Sequence, residues 1–129
     1  MKKLLNPSSA PYILRFGLAF VLVWFGSNQL LDPAPWTGLI PSWIISLGIS
    51  ATVFVYINGI VEIILALLLV LNKWTRVVSI LVFLHLVSIV IDVGFNGVGI
   101  RDIGLAMMAL ATSALGEGKE ENQSTSLVE

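Results

Sequence analysis

An all-α integral membrane protein, four helices in one bundle, is the fold class this sequence predicts, on three observations. Hydrophobic residues fill 57% of the 129 positions and charged residues only 12%, too little polarity for an ordinary water-soluble domain. The apolar residues collect into four stretches, each close to the roughly 20 residues that a helix needs to cross a bilayer. Ionisable residues inside or beside those stretches are few, namely Glu62, His85, Asp92, Arg101 and Asp102. In hydrocarbon such groups are costly, so they are the first candidates for function.

The first span runs from about residue 11 to 31. Lys2 and Lys3 precede it as they would a signal peptide, but the stretch is long and ends Gly26-Ser27-Asn28-Gln29-Leu30-Leu31 without a small-residue cleavage pattern, so an uncleaved helix is expected. Asp32-Pro33-Ala34-Pro35-Trp36 stops it, because proline removes a backbone donor and disfavours helix in the residue before it. From Leu39 to Leu71 the chain is almost continuously apolar, too long for one upright span, with Pro41 and Gly48 near its start. The reading is a short interfacial or re-entrant segment at about 41–50, with Trp36 and Trp43 at headgroup depth, then a second span at about 53–71. Roughly fourteen Leu, Ile, Val and Phe residues there outweigh the cost of about 3 kcal/mol for a central acid, so Glu62 does not forbid insertion.

Asn72 and Lys73 form a tight connection to the third span, at about 74–93. The glycine-rich turn Gly94-Phe95-Asn96-Gly97-Val98-Gly99 suits a helical hairpin. The fourth span, about 100–115, carries Gly104, Ala106, Ala109, Ala111, Ser113 and Ala114, small residues that allow helices to approach closely. Residues 1–116 thus form one four-helix transmembrane domain. Residues 117–129 are polar and acidic, and are expected to be a disordered cytoplasmic tail.

Cations set the topology: Lys2, Lys3 and Arg15 lie at the start of the first span, and Lys73 and Arg76 lie between the second and third. Those ends are expected to be cytoplasmic, with both termini inside and Arg15 and Arg76 snorkelling to the surface. At about 1.5 Å per residue, Glu62 and His85 fall near the midplane. Asn58 lies one turn outward from Glu62 on the same face, and Ser88 and Asp92 continue outward from His85. Asn28, Arg101 and Asp102 sit at outer depth. Facing one another, these groups would line a cavity opening away from the cytoplasm, with Trp24, Phe25, Tyr56 and Phe83 as candidate apolar walls.

Several function classes drop out. The chain has no cysteine, which removes disulfides, thiolate redox chemistry, iron–sulfur ligation and covalent haem attachment. Net charge is −1, with no basic stripe to follow a phosphate backbone, so nucleic acid is not an expected partner. No phosphate loop, dinucleotide fingerprint or activated nucleophile is present. Glu62, His85 and Asp92 are metal-ligand types, but their helical positions carry no metal-specific spacing, and no metal is assigned.

In order along the chain, Leu14-Arg15-Phe16-Gly17-Leu18, Trp24-Phe25-Gly26, Trp36 with Pro41-Ser42-Trp43, Gly59-Ile60-Val61-Glu62, Arg76, His85 and Arg101-Asp102-Ile103-Gly104-Leu105 resemble the DoxX family of small four-helix membrane proteins, over about residues 12–115. The family's namesake is similar to a membrane subunit of thiosulfate:quinone oxidoreductase. That resemblance implies a prokaryotic plasma-membrane protein, a membrane subunit or accessory protein of a quinone-linked oxidoreductase, with redox subunits, the lipid bilayer and quinone or a small metabolite as partners and no covalent cofactor. If it is an enzyme, it is at most one subunit of one, and a homo-oligomer is compatible with the sequence.

A quinone site needs an apolar slot, hydrogen bonds to two oxygens and a group that exchanges protons. Glu62 and His85 are the candidates for proton exchange. Asn28, Asn58, Asp92, Arg101, Asp102 and Trp24 are the candidates for binding, with Arg101 aimed at a developing anionic oxygen. Two other readings stay open. In one, Glu62, Asn58, His85 and the Arg101–Asp102 pair only hold helices in register in a non-catalytic interaction or assembly protein. In the other, Glu62 and His85 alternate exposure in a small-solute or proton-coupled transporter.

Overall fold

The structure is a computed structural model that describes the backbone of residues 5–128 and the side chains of residues 5–116. All regular structure in that range is helical: α1 (Ala10–Leu31), α2 (Ser42–Ser46), α3 (Ala51–Val70), α4 (Thr75–Val93) and α5 (Gly97–Val128), with 3-10 turns at Pro7–Ser9 and Ala34–Leu39. Four helical stretches, 7–31, 51–70, 75–93 and 97–116, are long and apolar enough to cross a membrane. The expectation for the tail falls on residues 117–129, outside the described side chains.

Between a third and a fifth of each span is buried within the chain. The remaining faces expose Phe20, Ile64, Leu84, Ile91 and Met107, an apolar girdle far larger than a soluble monomer shows. Only lipid suits such a surface.

The spans run up and down. α1 packs most extensively on α3 and α4 on α5, and the pairs join through α1 with α5 and α3 with α4, so the helices stand in the ring order α1–α3–α4–α5. Towards the end that holds the α1 N-terminus, the interior is closed by Leu18, Leu22, Leu65, Ala66, Leu69, Val78, Val82, Ala106 and Ala109.

The connections follow the local chemistry of the chain. Asp32 and Pro33 end α1, and the chain then takes the 3-10 turn, ahead of the 41–50 stretch expected as one short segment, of which only Ser42–Ser46 is helical, as α2. α5 begins at Gly97, three residues earlier than predicted, because the Asn96 side chain caps it: Asn96 Oδ1 accepts from the N–H groups of Val98 and Gly99, each at 3.0 Å. A side chain at Gly99 would run into the carbonyl oxygen of Gly94. The glycines thus permit the tight turn that sets Arg101 and Asp102 one turn into α5.

Arg15 corrects an expectation. It does not snorkel to the surface but is 7% exposed, lying 5.2 Å from the ring centroids of both Tyr12 and Phe16. Its Nη1 donates to Asn72 Oδ1 at 2.8 Å, an oxygen that also accepts from Thr75 Oγ1 at 2.6 Å. Asn72 has φ +54, a left-handed conformation that asparagine tolerates better than most residues. The bend between α3 and α4 therefore presents an acceptor to a guanidinium that aromatic faces shield. Asn72→Gly keeps the backbone conformation and removes only that acceptor. It is expected to destabilise the protein by about 1–2 kcal/mol, read as a lower unfolding midpoint in detergent; an unchanged midpoint would show that the bond contributes nothing.

Candidate functional site

α1 and α3 cross where neither has a side chain. A Cβ built on Gly26 would lie 2.8 Å from the Gly59 carbonyl oxygen and 2.9 Å from Ile63 Cγ1, and one on Gly59 would lie 2.9 Å from the Gly26 carbonyl oxygen. All three contacts are closer than a real Cβ tolerates. The crossing brings Gln29, one turn beyond Gly26, against Asn58 and Glu62 on α3.

There a closed hydrogen-bonded ring forms. Gln29 Nε2 donates to Glu62 Oε2 at 3.2 Å, Asn58 Nδ2 donates to Gln29 Oε1 at 2.8 Å, and Asn58 Nδ2 donates also to Glu62 Oε1 at 3.2 Å. From α4, His85 Nε2 lies 3.3 Å from the same Oε1. Glu62 is 4% exposed and Gln29 likewise 4%, so three helices meet on one buried carboxyl group.

The ring constrains where a proton sits. Asn58 uses one atom, Nδ2, towards both neighbours, so both must present acceptors. Gln29 then presents its oxygen to Asn58 and its Nε2 to Glu62, whose Oε2 must accept. Oε1 accepts from Asn58 as well. A proton on the line from Oε1 to His85 Nε2 meets a nitrogen able to accept or donate.

Glu62 borders an open cleft of about 830 Å³, its mouth included, at the end of the bundle where α1 stops and α5 starts. All four spans and the segment after α1 contribute to its lining. Phe25, Trp36, Phe54 and Leu86 supply apolar walls, and Asn58, Asp92, Arg101 and Asp102 supply polar ones. Trp36 meets Phe25 edge-on with centroids 5.7 Å apart. Arg101 lies 4.1 Å from the centroid of the Phe25 ring and donates through Nε to Asp102 Oδ1 at 2.7 Å, with Nη2 also at 2.7 Å. Asp102 is 1% exposed, and its Oδ2 has no hydrogen-bond partner.

Of the predicted site residues, Glu62, Asn58, Asp92, Arg101 and Asp102 border the cleft, and His85 stands directly behind Glu62. Asn28 does not join them: it is exposed and donates to the Trp24 carbonyl oxygen at 2.7 Å. Trp24 is 60% exposed on the outer surface of α1. Tyr56 also faces outward and Phe83 packs against the core, so of the four candidate walls only Phe25 lines the cleft. Ser88 folds back on the His85 carbonyl oxygen at 2.7 Å. The residue that sequence reasoning missed is Gln29. Its signal was its spacing, since Leu18, Leu22, Gly26 and Gln29 recur every three or four residues on one helix face. The described residues contain no cluster of three or more His, Cys, Asp or Glu side chains suited to a metal ion.

Four apolar helices around a buried acidic and imidazole pair define a small multi-pass integral membrane protein. The family model for DoxX matches residues 10–94, and the chain belongs to the DoxX family. The matched stretch holds Gln29, Asn58, Glu62, His85 and Asp92; it stops short of α5, so Arg101 and Asp102 lie beyond it, although the resemblance read from the sequence extends to residue 115. No curated protein and no solved structure matches the chain.

Proposed function

We propose that this DoxX-family chain is the membrane subunit or accessory protein of a quinone-linked oxidoreductase, and that its cleft receives the quinone head. The observation that carries the reading is the Glu62–His85 pair, with Glu62 bordering an apolar, aromatic-walled cleft. A flat ring suits the walls formed by Phe25, Trp36 and Phe54. A quinone, when bound, supplies two-electron chemistry in which two protons accompany the electrons.

The chain's own contribution is proton exchange. Glu62 is the cleft-facing member, and of its roughly four acceptor positions three are taken by Gln29, Asn58 and His85. The remaining one faces no protein donor among the hydrogen bonds of the described residues. A proton passing between ligand oxygen and Glu62 moves on to His85 Nε2 along the shared line, and returns by the same path. Electrons come from a partner subunit, since a chain without cysteine and with a single histidine holds neither an iron–sulfur cluster nor a bis-histidine haem by itself.

The cation distribution supports both termini on the cytoplasmic side and the cleft on the opposite side, and the family resemblance implies a prokaryotic plasma membrane. The apolar layer between the cleft and the cytoplasmic end weighs against the transporter reading. A second reading does draw support from the ring of Gln29, Asn58 and Glu62, which ties α1 to α3 and through His85 to α4: a non-catalytic assembly protein would use the same bonds for register.

Purification from native membranes in intact lipid, with extraction and identification of the bound small molecules and partner chains, separates the two. Quinone at near-stoichiometric amounts, or redox subunits held through purification, is the expected result. Quinone no more abundant than in the surrounding lipid, together with partners that carry no redox centre, would leave the assembly reading in its place.

A further inference from the structure

We propose that the cleft recognises the reduced, hydroxyl-bearing form of its ligand in preference to the oxidised carbonyl form, with Asp102 Oδ2 as the acceptor that reads the hydroxyl. The inference rests on the quinone reading and names the redox state the site is built for.

It follows from which hydrogen-bonding positions remain open. A quinone carbonyl needs donors, whereas a hydroquinone hydroxyl needs an acceptor. Around Glu62, the Asn58 Nδ2 atom is already shared between Gln29 and Glu62, and Gln29 Nε2 is directed at Glu62. What Glu62 offers the cleft is its remaining acceptor position. Across the cleft, Asp102 takes both Arg101 contacts on Oδ1. Three buried side-chain polar atoms among the described residues have no partner, Arg15 Nε, Ser79 Oγ and Asp102 Oδ2, and only the last belongs to a residue bordering the cleft.

A buried carboxylate oxygen without a donor is costly, and a ligand hydroxyl that reaches it recovers that cost. A carbonyl oxygen brought to the same place meets like charge. Arg101 keeps further N–H groups, but on a side chain 34% exposed and drawn to Asp102 Oδ1. Tighter binding of the reduced form has a consequence for the couple: it raises the midpoint potential of the bound quinone, by about 30 mV for each tenfold in affinity ratio in a two-electron couple. The bound oxidised form is then easier to reduce than quinone free in the bilayer.

The test uses the full chain in lipid nanodiscs with decylubiquinone and its chemically reduced hydroquinone as probes, comparing the two affinities and the midpoint potential of the bound couple. Wild type is expected to bind the hydroquinone about tenfold more tightly, with the matching potential shift. Asp102→Asn keeps an oxygen for Arg101 and puts an amide donor in place of Oδ2, so the ratio should fall to one or reverse. Damage to the fold would weaken both forms equally. Asp32→Asn, at an exposed acid that does not border the cleft, should keep the wild-type ratio. Equal or tighter binding of the oxidised form by wild type overturns the proposal, and this comparison stands even if D102N does not fold. A D102N protein with the wild-type ratio overturns the assignment to Asp102. Binding of neither form removes the quinone reading itself and this inference with it.

Discussion

Glu62→Gln is expected to cut quinone-dependent turnover in membranes by about 100-fold or more, the usual contribution of a positioned acid or base. The amide keeps the shape of the side chain but cannot exchange the proton shared with His85. It also cannot satisfy the ring. With Asn58 presenting a single atom to both neighbours, an amide at position 62 must face Gln29 nitrogen to nitrogen, or oxygen to oxygen after both neighbours flip. Either arrangement leaves one buried like-with-like contact, at about 1–3 kcal/mol, so the variant should also unfold at a lower temperature. The two effects separate cleanly. A register role alone predicts lowered stability with unchanged turnover per folded molecule, and that outcome would count decisively against proton exchange.

The second large effect is expected at the helix crossing. In Gly59→Ala the new methyl would sit 2.9 Å from the Gly26 carbonyl oxygen and 3.2 Å from Gln29 Cβ, and neither backbone nor Cβ can swing aside. The helices must separate by several tenths of an ångström, at about 1–3 kcal/mol for overpacking, and Gln29 moves away from Glu62. Gly17→Ala is the matched comparison, since its Cβ would meet only the flexible end of Met108 at 3.7 Å. There the better helix propensity of alanine, about 1 kcal/mol, should leave stability unchanged or raised. Unfolding midpoints of the two variants in one detergent check this: a G59A protein as stable as G17A would mean that α1 and α3 are not so close.

The spans were legible because membrane insertion depends on length and apolar content, both visible along the chain. The gathering of Asn58, Glu62, His85, Asp92, Arg101 and Asp102 from separate helices was legible too, because their relative depth follows from helical rise. Which way each helix faces was not. In water an apolar stripe marks the buried side, but in lipid the outward faces are as apolar as the core, and periodicity no longer distinguishes Asn28 from Gln29, one residue and about 100° apart. Small residues were the usable marker: Gly26 points to the α3 contact, and Gln29 follows it at i+3. Arg15 was misread for a related reason. A cation near a helix end ordinarily snorkels, but an acceptor at Asn72, distant in sequence, holds it inside, and no local pattern announces that contact.

Redox-triggered infrared difference spectroscopy on the protein in lipid with added quinone tests the central claim most directly, since it observes the carboxyl group during the change of redox state. A carboxyl signal that disappears in Glu62→Gln and shifts in frequency in His85→Gln is expected, reporting one proton held between the two side chains. A difference spectrum that is the same in wild type and E62Q would contradict it.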